Sequence, residues 1–227
     1  LIIVPKNGAP IIENVSALVR AKGLEVEEIF ESVSWTDGPS SIRLIFGPDG
    51  TLYFTIGSPM VTRSGESMWA QAPEQHGGKI LRINEDGTIP QDNPFVGRPN
   101  YQPEIFALGI RNAIGMAFHP QTGELWETEN GPQGGDEVNI IKPGRNYGWP
   151  IASYSREYRG TWVSDTPWLA AFEEPEVIWW PSIAPSGLTF YTGEQFPAWQ
   201  GNLFVGSLMV GRMFRTGHLE RVVFNAR

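Results

Sequence analysis

With 227 residues, 41% of them apolar and 19% charged, the chain has the composition of an ordinary globular protein long enough for one large domain. A net charge of −8 argues against a nucleic-acid surface, which needs a basic face, and leaves sugars, metals and small anions open. Without cysteine there is no disulfide, thiolate metal site or cysteine nucleophile, and no apolar run approaches the roughly 20 residues of a membrane span.

Residues 1–11 read as a strand, a turn at Lys6-Asn7-Gly8 and the start of a second strand. Residues 12–33 allow two readings. Ile12, Val15, Leu18 and Val19 have helical spacing with Gly23 as a stop, yet strands around Ala17–Ala21 and Val26–Phe30 with a turn at Lys22-Gly23 make a hairpin. The strand reading is preferred. From Ile42 the pattern sharpens: an apolar run to Phe46, a Gly47-Pro48-Asp49-Gly50 turn, then Leu52–Ile56. The same design returns as Ala113–Phe118, a turn over His119–Gly123, and Glu124–Thr128. It returns again as Ser186–Tyr191, a longer turn through Pro197 and Gly201, and Asn202–Gly206.

Phe46, Phe118 and Phe190 stand 72 residues apart (118 − 46 and 190 − 118). An internal repeat of short strands signals a radial or solenoid array. Each unit carries a second strand pair: Lys79–Ile83 with a Glu85-Asp86-Gly87 turn, Glu137–Ile141 with Pro143-Gly144, and Met213–Arg215 with Arg221–Phe224. Four strands per repeat predict propeller blades. The expectation is an all-β, single β-propeller domain over 1–227, with blade-like units around 1–33, 34–100, 101–175 and 176–227. Three good blades and a partial one do not close a ring, so an incomplete set is expected. The long segments 57–78 and 153–173 are expected to wall the mouth of its channel.

The stretch 129–150, ENGPQGGDEVNIIKPGRNYGWP, is too polar and broken for a helix. Its glycines let carbonyls turn toward a ligand, and its carboxylates suit a hard cation that takes oxygen ligands. A loop-built site for calcium or an anionic cofactor and a plain surface turn both fit these residues.

That stretch, together with 77–98, 103–126 and 181–208, resembles the soluble pyrroloquinoline-quinone (PQQ) dependent sugar dehydrogenases, the glucose/sorbosone and aldose sugar dehydrogenase group. The resemblance implies a six-bladed β-propeller that oxidises an aldose at C1 with PQQ and Ca²⁺. It implies a small sugar substrate, an external electron acceptor and a periplasmic or secreted location. Carried over by position, Arg111 and Asn112 match the pair at the quinone oxygens, with Arg111 in a catalytic role. A planar cation suits an oxygen where negative charge develops. Asn130 matches a PQQ contact. Gly131 and Pro132 match the main-chain oxygens that hold the cofactor's calcium. Asp136, Glu137 and Tyr147 match a second, structural calcium site. The plainer alternatives are an inter-blade salt bridge for Arg111 and solvated turns for the rest, and Trp149 reads as inter-blade packing.

One departure stands out. Pro39, in Gly38-Pro39-Ser40-Ser41-Ile42-Arg43, holds the place of the family's catalytic histidine, and proline cannot take a proton. His119 reads as a turn residue, while His76 lies in a long loop near Gly77-Gly78 that runs toward the expected mouth. The cations that the family places on the PQQ carboxylates are missing from the run after Leu208, Met209-Val210-Gly211-Arg212, where Arg212 is the remaining candidate. These departures keep a second reading open, a catalytically inactive, calcium-stabilised propeller that binds carbohydrate or protein. A calcium-dependent lactonase-like hydrolase is a third, and would need acidic ligands converging from several blades.

Overall fold

The computed structural model describes residues 17–22, 25–32, 42–58 and 66–224. The expected strands over 1–11 and Pro39 lie outside these residues. Strands β1 (Ala17–Lys22) and β2 (Glu25–Glu31) pair antiparallel, so the hairpin reading of this region holds over the helical one.

Three antiparallel sheets follow. The first joins β3 (Leu44–Phe46), β4 (Leu52–Ile56), β5 (Lys79–Ile83) and β6 (Ile105–Leu108) in sequence order. The second joins β7 (Ala113–Phe118), β8 (Leu125–Glu129), β9 (Asp136–Ile141) and β10 (Val177–Trp179) in the same way. The third holds β11 (Pro185–Phe190), β12 (Leu203–Ser207) and β13 (His218–Val222). Up-and-down sheets in chain order are propeller blades, and here they form an unclosed set.

Two strand pairs differ from the sequence reading. After the Glu85-Asp86-Gly87 turn the chain does not return at once as a strand. It runs through turns to β6, so Ile105–Leu108 completes the first sheet although it falls in the stretch 101–175. Met213–Arg215 lies in a turn bridged to Val210, and the third strand of the last sheet is His218–Val222. Phe214 is 85% exposed there, so burial does not draw that segment into the sheet.

The 72-residue step survives in detail. Register shifts fall between Ala113 and Gly115 and between Pro185 and Gly187, at matching places in the two units. Gly115 is where β7 and β11 meet. A Cβ there would come within 2.8 Å of Leu188 N and 2.9 Å of Gly187 Cα, so only glycine fits that approach.

Strands β4, β5 and β8 are buried along their whole length because each blade packs on both faces. Alternation then sorts their residues. Leu52, Phe54 and Ile56 join Leu81 and Ile83 in one cluster, with Phe30 packed against it. Tyr53 and Ile80 join Met116, Leu125 and Ile141 between the first two full blades. Trp126 and Val138 join Leu188, Phe190, Leu203 and Val205 between the next two. Each such side chain contributes about 1.5–3 kcal/mol on full burial.

Lys79 is the exception in this apolar setting. It is fully buried, and its ammonium donates to the carbonyls of Trp69 and of Gly77, the latter at 3.0 Å. Burial pulls its pKa down to about 7. Between pH 7 and the ordinary lysine value near 10.5 the unfolded chain therefore binds more protons than the folded one, and stability rises with pH. A Lys79→Met variant should lose that rise. Urea midpoints measured from pH 7 to 9.5 check it, and equal slopes in the two proteins would refute it. No helix among the described residues is long and apolar enough to cross a membrane.

Candidate functional site

The loop from β6 to β7 and the corner from β8 to β9 meet at a cleft of about 670 Å³. Arg111, Asn112, Asn130, Gly131 and Pro132, the five residues singled out for the cofactor, all line it. They are joined by their own hydrogen bonds. The Arg111 guanidinium donates to Asn130 O at 2.5 Å and lies over the Trp149 ring, 5.4 Å from its centroid. Asn130 N donates to Asn112 O at 3.2 Å. Trp149 is buried and does pack in the interior, beneath Arg111.

What holds the pair in place is Glu129. Its Oε2 accepts from Arg111 N at 2.5 Å and from Asn112 N at 3.3 Å. Burial pushes its pKa up to about 7, against those two hydrogen bonds and the positive charge of Arg111, which pull it down. By alternation Glu127 and Glu129 share the face of Leu125, inside the core between blades. Glu129 lies directly opposite Glu137 on β9, and Glu127 opposite Asn139. Asn139 Nδ2 donates to Glu127 Oε1 at 2.9 Å and to Glu137 Oε2 at 3.4 Å. Burial, and then the neighbouring carboxylates, push Glu127 and Glu137 well above the usual range. Glu127 Oε2, Asn139 Oδ1 and Asn130 Oδ1 are buried with no hydrogen-bond partner.

A second, atom-sized void of about 10 Å³ lies beside the cleft, bounded by Glu129, Glu137, Tyr147, Ser153 and Ser155 among others. That is roughly the room one small occupant needs. Its lining offers oxygen ligands, which suits a hard cation. Among the described residues no three His, Asp or Glu side chains are grouped to hold a metal alone. A cation here would therefore draw on main-chain or hydroxyl oxygens as well. Tyr147 would contribute its main chain, because its hydroxyl already accepts from Lys142 N and donates to Ile140 O.

Asp136, expected as a ligand of the second ion, is placed differently. Its Oδ1 accepts from Gly131 N at 2.8 Å. Its Oδ2 accepts from Ser182 Oγ at 2.7 Å, Ile183 N at 2.7 Å and Ala184 N at 2.9 Å. Both oxygens are occupied by protein donors, so the carboxylate brackets the Gly131 corner to the loop between β10 and β11. Gly131 is tightly enclosed: a Cβ would lie 2.2 Å from Gly134 O and 2.4 Å from Ser155 Oγ.

The histidines lie elsewhere. His76 is buried between Ser32 Oγ at 3.2 Å and Glu104 Oε1 at 2.6 Å, so it does not reach the mouth. His119 Nδ1 accepts from Gln121 N and Thr122 N in its turn, and His218 pairs with Glu220. None of the three lines the cleft. Ser58, Tyr158, Trp180 and Arg212 do line it, the first two from the long segments expected at the mouth. Sequence reasoning passed over Tyr158 and Trp180, which carry no motif of their own. Glu127 and Glu129 did leave a signal, as acids at every second place of an otherwise buried strand.

Up-and-down sheets of this form define a β-propeller, with a candidate ligand cleft where the loops between its strands meet. A sequence model of the family described as Glucose / Sorbosone dehydrogenase matches residues 9–226, and the chain belongs to that family. The chain is 39% identical over 168 residues to the aldose sugar dehydrogenase YliI of Escherichia coli, covering 73% of this chain and 44% of that protein. It is 30% identical over 240 residues to quinoprotein glucose dehydrogenase B of Acinetobacter calcoaceticus, covering 76% and 49%. It thus spans less than half the length of these curated relatives. The apo-form crystal structure of the soluble E. coli aldose sugar dehydrogenase superposes with a TM-score of 0.75 at 33% identity, covering 87% of this chain and 58% of that one. The PQQ-bound aldose sugar dehydrogenase of Streptomyces coelicolor gives 0.61 at 27% identity, covering 86% and 52%.

Proposed function

We propose that the protein is a quinoprotein sugar dehydrogenase that oxidises an aldose at C1 with PQQ and calcium, working in the periplasm or outside the cell with an external electron acceptor. The observation that carries this reading is the charge of the cleft. Arg111 and Arg212 line it and no carboxylate does, in a chain whose net charge is −8. A local positive lining in an acidic protein favours an anionic ligand, and PQQ is a tricarboxylate. The orphaned Oδ1 of Asn130 and the oxygen-lined void beside Glu137 and Tyr147 fit a cation as well.

When bound, PQQ supplies the acceptor for hydride from the sugar, with calcium as a Lewis acid on its carbonyl. The chain's own part is to bind and orient. Arg111 and Asn112 would stand where negative charge develops, and Glu129 holds their main chain in place in advance. Main-chain oxygens at Gly131 and Pro132 are the proposed calcium ligands of the cleft, and Glu137 with the Tyr147 main chain those of the second ion. Asp136 keeps the corner rigid. Tyr158 and Trp180, each about half exposed, form a rim that an incoming sugar must pass.

The inactive, calcium-stabilised scaffold keeps one supporting observation. No histidine lines the cleft, and Pro39 offers no basic atom at the family's base position. Titration of metal-free apoprotein separates the readings. Calcium alone should raise the thermal midpoint. PQQ with calcium should shift the quinone absorbance, and glucose should then drive dye reduction. A shift without turnover favours the scaffold, and no shift at all defeats both cofactor readings.

A further inference from the structure

The rim of the cleft continues outward in a short hairpin. Glu157 N donates to Thr161 O at 2.7 Å, Gly160 N to Glu157 O at 2.8 Å and Val163 N to Ser155 O at 3.1 Å. Arg156 and Trp162 stand opposite each other across it as a bridged pair. The Arg156 guanidinium lies over the Trp162 indole, 4.2 Å from its ring centroid. Gln133, from the same corner as Gly131 and Pro132, is bridged to Arg156 as well, and its Nε2 donates to Tyr158 O at 2.8 Å. The hairpin is thus tied to the wall of the cleft.

Trp162 meets Trp180, which lines the cleft, with ring centroids 5.9 Å apart and planes at 60°. Trp180 is fixed in turn. Its Nε1 donates to Tyr154 O at 3.0 Å, and Gly134 lies against its ring, where a Cβ would come within 2.7 Å of Cδ2 and Cε3. Both indoles are held in place, yet Trp162 is 53% and Trp180 49% exposed. Adjoining aromatic rings left in water mark a binding surface. Rings that are already ordered give up little entropy when a ligand stacks on them. A pyranose offers a face of C–H bonds ringed by hydroxyls, so its face suits an indole and its edge stays wet. Arg156 covers one face of Trp162 and leaves the other open. The step between the two indoles is of the same order as that between joined pyranose rings.

We propose that Trp162, backed by Arg156, is a subsite outside the cleft for the second ring of an oligosaccharide whose reducing end occupies the cleft. The hairpin over 155–163 then sets a preference for joined sugars over single ones. This rests on the carbohydrate reading above, which the dehydrogenase and the inactive scaffold share, and does not require turnover.

The test is calorimetric titration of glucose, maltose and cellobiose into the full chain with calcium and PQQ, the cofactor held reduced under argon so that no sugar is oxidised. At least one disaccharide should bind about 3- to 10-fold more tightly than glucose, the size of one aromatic contact. Trp162→Ala should bring that ratio to about one, and Trp162→Tyr, which keeps a ring to stack on, should retain most of it. Melting curves check that both variants fold. If glucose binds but neither disaccharide binds more tightly, or if the ratio survives in Trp162→Ala, the subsite is overturned and the carbohydrate reading stands. If no sugar binds, the carbohydrate reading fails and the subsite with it. If quinone absorbance shows that PQQ is not taken up, the cofactor reading fails alone, and the same titration of the calcium form decides the subsite.

Discussion

An Asp136→Ala variant should be destabilised by roughly 3–6 kcal/mol, the largest stability effect expected of any single change at the site. The carboxylate accepts four hydrogen bonds, from Gly131 N, Ser182 Oγ, Ile183 N and Ala184 N. Ser182 can turn to another partner, and its hydroxyl already serves Ala184 N at 3.1 Å. Gly131 N and Ile183 N have no such substitute. Each buried donor left unmade costs about 1–3 kcal/mol, and the methyl also leaves a gap. Against a typical net stability of 5–15 kcal/mol this is a large fraction, and it lowers the thermal midpoint by about 10 °C or more in a chain of this size. Asp136→Asn keeps an oxygen for the Ser182–Ala184 donors and loses mainly the bond to Gly131, so about a third of that loss is expected. Circular dichroism melts check both. A midpoint for Asp136→Ala within 2 °C of the unaltered protein would show that water replaces the bracket.

The same residue shows how far sequence reasoning reached. The blades were legible because their signals are local. Turns such as Gly47–Gly50 and alternating apolar runs recur at a fixed step, and the step survives even in the register shifts at Gly115 and Gly187. The cleft residues were legible because Arg111, Asn112, Asn130, Gly131 and Pro132 fall within two short motifs, and the structure brings those motifs together. Asp136 was found but given a different task. Its partners at 182–184 lie almost fifty residues on, and only the meeting of β9 with the loop after β10 reveals them. The carboxylates of Glu127 and Glu129 were written in the strand itself, yet an acid in a strand reads as an exposed face unless both faces are known to be covered. Tyr158 and Arg212 depend on two loops touching, which no spacing along the chain encodes.

Replacing Arg111 should separate rate from affinity. On the dehydrogenase reading, Arg111→Ala lowers kcat/KM for an aldose by about 10²- to 10³-fold, the usual loss when one preorganised donor is taken from developing charge. Most of the fall should appear in kcat, because the charge that Arg111 stabilises grows only as the reaction proceeds. PQQ affinity should fall less, since in the ground state the cofactor carries less charge at that end than it gains as the reaction proceeds. Arg111→Lys should recover little. An ammonium cannot at once reach Asn130 O, stack on Trp149 and point a second donor into the cleft. Steady-state dye reduction gives the rate, and quinone absorbance gives the affinity on the same preparations. Should Arg111→Lys turn over within threefold of the unaltered protein, a point charge is enough, and the planar fork is not what the loop before β7 is built to hold. A loss confined to affinity, with kcat intact, would instead place Arg111 among the anion anchors and away from the reacting carbonyl.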